Sequence, residues 1–285
     1  MKQIVIISGK GGTGKTVITG AFAALAKNKV MADCDVDAAD LHLLLNPDIK
    51  ERHEFRSGKT AVIDRKLCTK CGKCISICRF DAITEDFTID PVYCEGCAFC
   101  SHICPADTIK MKENVVGEWF IADTRFGPMV HARLGIAEEN SGKLVTLVRK
   151  KAKEIAEQNK LDFVIVDGAP GIGCPVIASI SGVDCALVIT EPTLSGLHDA
   201  DRVIKVTGHF GISAKLVVNK CDLNMDMTEK IEKYCADNNV ETLGRIGFDK
   251  SIVDAMVNGK TIIEYSDSKA KEEITDIWNK LETSL

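Results

Sequence analysis

Apolar and polar positions along the chain follow two periods, one typical of strands and one typical of helices. A run rich in β-branched residues covers Gln3–Ile7 and ends at a glycine-rich turn. A helical pattern follows over Lys15–Ala26, and a second short apolar run covers Lys29–Ala32. Strand, turn, helix and strand in this order predict a right-handed parallel βαβ unit at the start of the chain.

The same alternation returns in the second half of the chain. A helix is predicted over Ser141–Asn159, and a polar helix over Lys269–Leu281 closes the sequence. Four apolar segments predict strands: Leu161–Val166, Cys185–Ile189, Leu216–Val218 and Leu243–Ile246. Three helical stretches follow the later strands: Leu197–His209, Asp226–Asn238 and Ser251–Asn258. The whole pattern predicts an α/β fold built on a doubly wound, mostly parallel sheet.

Between these halves the pattern breaks. Residues 46–59 are polar and irregular, and residues 64–112 are rich in cysteine without a helix-length amphipathic segment. The break predicts a small α+β domain inserted into the larger one. We therefore expect a larger domain in two parts, residues 1–58 and 115–285, and an insert at 59–114.

Composition and charge narrow the class of protein. The chain has 285 residues, of which 36 are Lys or Arg and 41 are Asp or Glu, so its formal charge is −5. This mildly acidic balance argues against a dedicated nucleic-acid binder. No apolar stretch reaches the ~18 residues of a membrane span. The N-terminal apolar run is short for a signal peptide, so we expect a cytoplasmic protein without a membrane anchor.

Cysteine supplies the first candidate chemistry. Of 13 cysteines, eight lie between Cys68 and Cys104. An odd total without an export signal argues against a disulfide framework and favours bound metal. The eight form two runs of spacing C-x2-C-x2-C-x3-C, which begin at Cys68 and Cys94 and are offset by 94 − 68 = 26 residues.

This spacing is that of bacterial two-cluster ferredoxins, in which the fourth cysteine of each run ligates the other cluster. The sequence therefore predicts two [4Fe–4S] clusters held by crossed sets of cysteines. One set is Cys68, Cys71, Cys74 and Cys104; the other is Cys78, Cys94, Cys97 and Cys100. Zinc is the alternative, because CxxC pairs also bind zinc, but duplicated four-cysteine runs argue against it. Arg79 stands where many ferredoxins have proline, and an arginine there could raise the potential of the adjacent cluster.

A second motif lies at the end of the first predicted strand. The segment Gly9–Thr16 fits G-x-x-x-x-G-K-[ST], in which backbone N–H groups surround phosphate oxygens at a helix N-terminus. Lys15 is expected to neutralise the β- and γ-phosphates, and Thr16 to coordinate Mg²⁺. The predicted nucleotide-binding residues of this loop are Gly9, Lys10, Gly11, Gly12, Thr13, Gly14, Lys15 and Thr16.

Lys10, a second lysine directly after the first glycine, resembles the deviant Walker motif of the MinD/Mrp/ParA family of P-loop ATPases. In that family this lysine reaches into the partner subunit's phosphate site. The resemblance therefore implies ATP as the nucleotide and a dimer, formed with a second copy or with a related ATPase. It also implies catalytic roles for Lys10, Lys15 and Asp35, since Asp35 aligns with the aspartate that positions the attacking water. Asp33 sits at the end of the preceding strand.

Later segments extend the resemblance. Asp167 resembles the Walker B carboxylate that holds Mg²⁺, and Gly171 resembles the glycine that senses the γ-phosphate. Asn219 stands where the family places an adenine-reading asparagine. Asn219–Asp222 also resembles the guanine-reading N-K-x-D, so GTP stays open as an alternative.

Three further parts of the sequence show a weaker resemblance. Residues 134–144 and 243–249 match the family, although Gly247 replaces a proline that is common in relatives. Cys174 has the spacing from Asp167 of the cysteine that bridges a cluster between subunits in the nitrogenase iron protein. The second cysteine that such a bridge needs is not evident here.

The resemblance implies an ATPase with an inserted ferredoxin domain, and three functions compete. In the first function, the nucleotide state gates electron transfer through the clusters to a partner metalloprotein. In the second, the protein is a Mrp-like scaffold or maturation factor that passes on clusters or metal. The third function is a positioning ATPase with structural or sensing clusters. Eight fixed ligands favour electron transfer, because a fully ligated cluster is hard to release.

Overall fold

A computed structural model describes residues 1–135 and 141–285. Within these ranges nine strands form one sheet: β1 (Lys2–Ser8), β2 (Lys29–Asp33), β3 (Asp48–Ile63), β4 (Ile109–Thr124), β5 (Gly127–Leu134), β6 (Phe163–Pro170), β7 (Cys185–Thr190), β8 (Ser213–Asn219) and β9 (Glu241–Ile246). The longer helices are α1 (Lys15–Leu25), α5 (Ser141–Asn159), α7 (Leu194–His209), α8 (Met225–Asp237), α9 (Lys250–Val257) and α11 (Lys269–Thr283). Shorter helices are α2 (Leu41–Leu45), α3 (Lys73–Ile77), α4 (Phe99–Ile103), α6 (Cys174–Ile180) and α10 (Ile262–Tyr265).

The sheet order is β3-β4-β5-β2-β6-β1-β7-β8-β9. The pairs from β5 through β9 are parallel. From β1 the chain crosses to β2 on one side of β1, and later it crosses from β6 to β7 on the other side. The direction in which strands are added therefore reverses at β1. Open α/β sheets bind ligands at such a switch point. The register of β2 on β6 places Asp33 beside Asp167 at the carboxyl ends of both strands.

Both faces of the central strands are covered, which explains their unbroken apolar runs. One core contains inward residues of α1, α2, α10 and α11, and the rings of Phe22 and Trp278 lie 5.0 Å apart within it. The helices α5 and α6 pack against each other; α5 also packs against β2 and β6, and α6 packs against β6. The α/β fold with a mostly parallel sheet, predicted from the sequence, is confirmed.

One element prediction is wrong. Residues 46–59 were expected to be irregular, but most of them belong to β3. This strand is exposed along most of its first half, so it lacks the alternation by which strands are recognised. β3 is also the edge strand of the order. The strands β4 and β5 were also not predicted. Because only two residues connect them, they form an antiparallel hairpin.

The chain divides into two compact units. The larger unit comprises Met1–His53 and Glu118–Leu285, and the cysteine-rich unit comprises Glu54–Gly117. The functional division predicted at residues 59 and 114 stays a prediction. Of the segment 134–144 that matches the family, residues 136–140 lie outside the described residues. In the described ranges no helix is long and apolar enough to cross a membrane.

The cysteine-rich unit contains an internal structural repeat at the 26-residue offset of the motifs. Each run places its third cysteine in a five-residue helix, α3 or α4. The residue before each helix, Gly72 or Ala98, adopts the left-handed conformation. Between the runs, the backbone amides of Thr84 and Phe87 close a turn, and Ile83 pairs antiparallel with Ile89. A small core includes Ile63, Ile109 and Cys74, and five more of the clustered cysteines pack against it.

Candidate functional site

The glycine-rich loop between β1 and α1 has the conformation that its composition allows. Gly12 and Gly14 adopt φ of 80° and 90°, values that L-residues with side chains rarely take. Gly14 also leaves room for Asn219, whose Nδ2 atom would lie 2.3 Å from an added Cβ. The loop therefore delivers the chain into α1 with its backbone amides at the helix N-terminus, where anions bind.

Lys15 is buried at the centre of an acidic site. Its Nζ donates to Asp167 Oδ1 at 3.0 Å and to Asp35 Oδ2 at 3.3 Å. Burial lowers the pKa of Lys15, but the facing Asp167 and Asp35 carboxylates outweigh it, so the net pKa is raised. Lys15 is therefore a fixed cation that a phosphate can share.

Asp167 holds three side chains of α1 in register. Its Oδ2 accepts from Thr16 Oγ1 at 2.8 Å, and its Oδ1 accepts from Thr19 Oγ1 at 3.0 Å as well as from Lys15. Thr19 is fully buried and also contacts the Lys15 carbonyl at 3.0 Å. Sequence reasoning missed Thr19; its place one helical turn after Lys15 was the available signal.

Asp33 and Asp35 complete the acidic cluster. Asp33 is fully buried; its Oδ1 accepts from the Asp35 amide at 3.2 Å, while its Oδ2 has no partner among the described residues. Burial, reinforced by the charge of Asp167, raises the pKa of Asp33, and burial likewise raises the pKa of Asp35. Three carboxyl groups thus lie near one lysine, and burial together with their mutual repulsion raises the pKa of Asp33 and Asp35.

Lys10 points away from this cluster. Its Nζ lies 3.5 Å from Glu191 Oε2 and donates to Ser195 Oγ at 3.3 Å. Glu191 also accepts from Lys220 Nζ at 2.5 Å. Within one protomer Lys10 is therefore held at the connection between β7 and α7.

Asn219 and Asp222 have backbone partners. Asn219 is buried at the end of β8 and donates to the Thr13 carbonyl at 2.8 Å, which ties this strand to the glycine-rich loop. Asp222 Oδ1 accepts from the Phe248 amide at 2.7 Å. Both contacts fix the walls of the adjoining cavity.

A cavity of about 400 Å³ opens at this edge of the sheet. Lys15, Thr16 and Asp35 lie at its polar end, and Phe248 and Val253 line its apolar end. Gly171 stands beyond the cavity-lining Pro170, with φ of 91° and its amide donating to the Ser8 carbonyl at 2.8 Å. A cavity with a polar end, lined by the glycine-rich loop and Lys15, and an apolar end suits a nucleotide, which has a phosphate part and a base.

The eight clustered cysteines line two separate cavities of the cysteine-rich unit. A cavity of about 430 Å³ is lined by Cys78, Cys94, Cys97 and Cys100. A much smaller one, about 10 Å³, is lined by Cys68, Cys71, Cys74 and Cys104. Each group is one predicted ligand set, and four thiols around one cavity are a donor set suited to a [4Fe–4S] cluster. In the described ranges, however, no three His, Cys, Asp or Glu side chains are close enough to hold a single metal ion.

The remaining cysteines have ordinary positions. Cys34, Cys185, Cys221 and Cys235 are buried, as is common for free cysteine. Cys174 is exposed at the first position of α6, against Gly142. Its role as a ligand between subunits stays a prediction.

The fold and the glycine-rich site define a P-loop NTPase. A family model described as the CobQ/CobB/MinD/ParA nucleotide binding domain matches residues 4–262, and the chain belongs to this family. An uncharacterized protein of Methanocaldococcus jannaschii is 36% identical over 98% of this chain and 96% of its own length. The crystal structure of the cell division ATPase MinD of Pyrococcus furiosus matches with a TM-score of 0.61 at 20% identity, over 100% of this chain and 99% of that one. An iron-sulfur cluster carrier protein of Pyrococcus abyssi is 26% identical over 50% of this chain and 53% of its own.

Proposed function

We propose that this protein binds and hydrolyses ATP and that a nucleotide-driven dimer gates electron transfer through two [4Fe–4S] clusters to a partner metalloprotein. The observation that carries the redox part is the division of the eight cysteines between two cavities, four to each. The division follows the crossed sets expected of a two-cluster ferredoxin.

ATP is favoured over GTP by the contacts of Asp222. In the N-K-x-D motif the aspartate reads the guanine edge, so its carboxylate must face the base. Here Asp222 Oδ1 accepts from the Phe248 amide, and Asp222 does not line the nucleotide cavity. An adenine needs no such carboxylate, and Asn219 lines the cavity although its side-chain amide is bonded to the Thr13 carbonyl.

The polar end of the cavity supports a division of labour in hydrolysis. Lys15 would neutralise the β- and γ-phosphates, and Thr16 and Asp167, hydrogen-bonded to each other at 2.8 Å, would hold Mg²⁺. Asp35 orients the attacking water. Lys10 leaves Glu191 and neutralises phosphate charge in the partner subunit, so closure of the dimer completes the site.

The cysteine-rich unit supplies the redox centres. Cys68, Cys71, Cys74 and Cys104 would hold one cluster, and Cys78, Cys94, Cys97 and Cys100 the other. Bound clusters would supply one-electron transfer at low potential.

A second candidate function is favoured by one comparison. Half of this chain is similar to an iron-sulfur cluster carrier protein, which supports a scaffold or maturation role. A carrier releases its cluster to an apo-protein, whereas a gated electron carrier keeps it. The likeness to MinD supports the third function, a positioning ATPase with structural or sensing clusters.

The test is an anaerobic preparation assayed for iron, sulfide and ATP hydrolysis. Two [4Fe–4S] clusters require about eight iron and eight sulfide per chain. Cys78→Ser and Cys104→Ser are a matched pair, because each removes the crossed ligand of one set. Each variant should lose one cluster and keep the other, as read by electron paramagnetic resonance. Zinc without visible absorption would contradict the redox assignment, and quantitative cluster transfer to an apo-ferredoxin would favour the carrier.

A further inference from the structure

The two halves of the cysteine-rich unit are structurally equivalent, so their surfaces can be compared position by position. Asp64 accepts from the Lys66 amide at 2.9 Å, and Asp90, 26 residues later, accepts from the Val92 amide at 2.9 Å. Lys70 and Gly96 both adopt positive φ, at 55° and 65°. The backbones of the two runs therefore follow the same path.

At equivalent positions the two runs carry different side chains. Three exposed lysines lie within or just before the first run, and we call them the basic face: Lys66, Lys70 and Lys73. Their equivalents in the second run are Val92, Gly96 and Phe99. Val92 is 83% exposed, so one run presents charge to solvent where the other presents apolar surface.

The lysines of the basic face have no acidic partner among residues 1–135 and 141–285. The neighbouring Arg65 does pair, with Asp86 at 3.4 Å. Asp64 has an equivalent in the second run, Asp90. It therefore does not explain the difference in surface charge between the two runs. The lack of an ion pair at an exposed lysine has little effect on the stability of the fold. Such lysines can instead form ion pairs with carboxylates of another protein.

Two sulfur atoms of the first ligand set have hydrogen-bond partners. The Lys70 amide donates to Cys68 Sγ at 3.4 Å, and Thr108 Oγ1 lies 3.4 Å from Cys104 Sγ. Both sulfurs belong to the ligand set of the first run. Hydrogen bonds and positive charge near ligand sulfurs stabilise the reduced, more negative form of a cluster. These hydrogen bonds would favour an electron on a cluster beside the basic face, whereas Arg79, which lines the cavity of the other set, would favour one there.

We propose that the basic face docks an acidic one-electron redox protein, so that electrons leave through the cluster of the Cys68 set. The inference rests on the proposed redox function. One electron passes from the reduced cluster, which becomes oxidised, to the redox centre of the acidic partner, which is reduced. Charge complementarity of this kind mainly accelerates encounter and weakens with salt.

The net charge of the chain makes the test discriminating. A −5 protein that acted as a uniform sphere would repel an anionic oxidant, and added salt would speed the reaction. A local basic face predicts the opposite. The probes are cobalt(III)–EDTA, an anion, and hexaamminecobalt(III), a cation, mixed with dithionite-reduced protein from which excess reductant has been removed.

The measurement is the stopped-flow rate of cluster oxidation at low and physiological ionic strength. For the anion, we expect the rate to fall roughly threefold or more as the Debye length shrinks from about 30 Å to about 8 Å. The triple variant Lys66→Gln, Lys70→Gln, Lys73→Gln should lose this fall, and the corresponding Lys→Arg triple should keep it. The matched control is Lys112→Gln, Lys230→Gln, Lys233→Gln, which removes three exposed lysines elsewhere.

The outcomes separate two failures. Iron and sulfide near zero in the wild type would overturn the proposed redox function itself. Intact clusters with an anion rate that rises with salt, or with equal effects of the basic-face and control triples, would overturn only the docking face. If the Gln triple variant loses its clusters, the single variants Lys66→Gln and Lys73→Gln are measured instead. Each should partly reduce the fall in the oxidation rate with ionic strength.

Discussion

Thr19 is the residue whose contribution is least visible in the sequence. Its hydroxyl is buried between the Lys15 carbonyl and the Asp167 carboxylate. A threonine in the second turn of a helix is unremarkable by pattern, because nothing local shows that a strand-end carboxylate 148 residues away faces it. Lys15, Thr16 and Asp167 could be anticipated because a motif or a strand end marks each of them.

Thr19→Val keeps the shape of the side chain and removes its hydrogen bond. Because a buried hydrogen bond contributes about 1 kcal/mol, we expect affinity for Mg–ATP or turnover to fall by about fivefold. Isothermal titration and a phosphate-release assay measure the two effects. Thr207→Val is the control, since among the described residues its buried hydroxyl donates only to the Ile204 carbonyl. Equal losses in both variants would reduce the role of Thr19 to general stability.

Glu264 gives a residue-scale prediction with a pH signature. Its oxygens accept from Arg125 Nε and an Nη nitrogen, each at 2.7 Å, and hydrogen bonds from Arg125 lower the pKa of Glu264 to about 2. A lowered pKa means that the stabilisation is present above the unfolded value of 4.5 and is lost as pH falls towards 2.

The corresponding variant is Glu264→Gln. Charge-assisted hydrogen bonds contribute about 1.5–3 kcal/mol, so we expect the free energy of unfolding at pH 7 to fall by about that amount. Urea denaturation followed by circular dichroism measures it. The gap between wild type and variant should narrow below pH 4.5. A gap that is constant down to pH 2 would contradict the account.

At the scale of elements, the connection between β7 and α7 joins three parts of the nucleotide site. Glu191 lies near Lys10 of the glycine-rich loop and bonds Lys220, which follows β8. Lys10 could be singled out by its motif, but its partner could not. The two residues are 191 − 10 = 181 positions apart, and only the parallel packing of β1 beside β7 brings them together.

Glu191→Gln should release Lys10 for its proposed role in the partner subunit. A partly exposed ion pair contributes about 0.2–1 kcal/mol, so the ATP-dependent dimer should form at up to about fivefold lower protein concentration. Light scattering with a non-hydrolysable ATP analogue measures this. Glu232→Gln, which breaks a pair with Arg245, is the matched control, and Lys10→Ala should abolish the dimer. Normal dimerisation of Lys10→Ala would rule out the role in trans.

Prediction succeeded for some elements and failed for others for a physical reason. Central strands such as β6 and β7 are buried on both faces, so their apolar runs are unmistakable. β3 is long but mostly exposed, and its polar sequence resembles a loop. The short helices α3 and α4 carry cysteines instead of an apolar stripe, so their presence was hidden in the motif.

At the scale of the whole molecule, β3 and β4 each contribute residues to both compact units. The inserted residues lie in sequence between the loop of Asp35 and the strand that ends at Asp167. Two continuous strands thus connect the two units covalently, and we expect a change of nucleotide to alter the solvent exposure of the predicted cluster ligands, or the charge near them, through these strands. These are the factors that set cluster potential.

Coupling between two sites is typically ~1–3 kcal/mol, and it is reciprocal. For a one-electron couple, at ~59 mV per ~1.4 kcal/mol, this corresponds to a shift of roughly 40–130 mV in cluster potential. By the same linkage, reduction of the proposed clusters should change the affinity for ATP by an equal free energy.

An anaerobic redox titration with and without a non-hydrolysable ATP analogue, paired with nucleotide affinities of the oxidised and reduced protein, tests this coupling most directly. The account predicts that at least one cluster potential shifts when the analogue binds. The two nucleotide affinities should differ by the same free energy, and Lys15→Ala, which cannot bind the phosphates, should show neither effect. Potentials and affinities that stay fixed in the wild type, with both clusters present and the analogue bound, would contradict nucleotide gating.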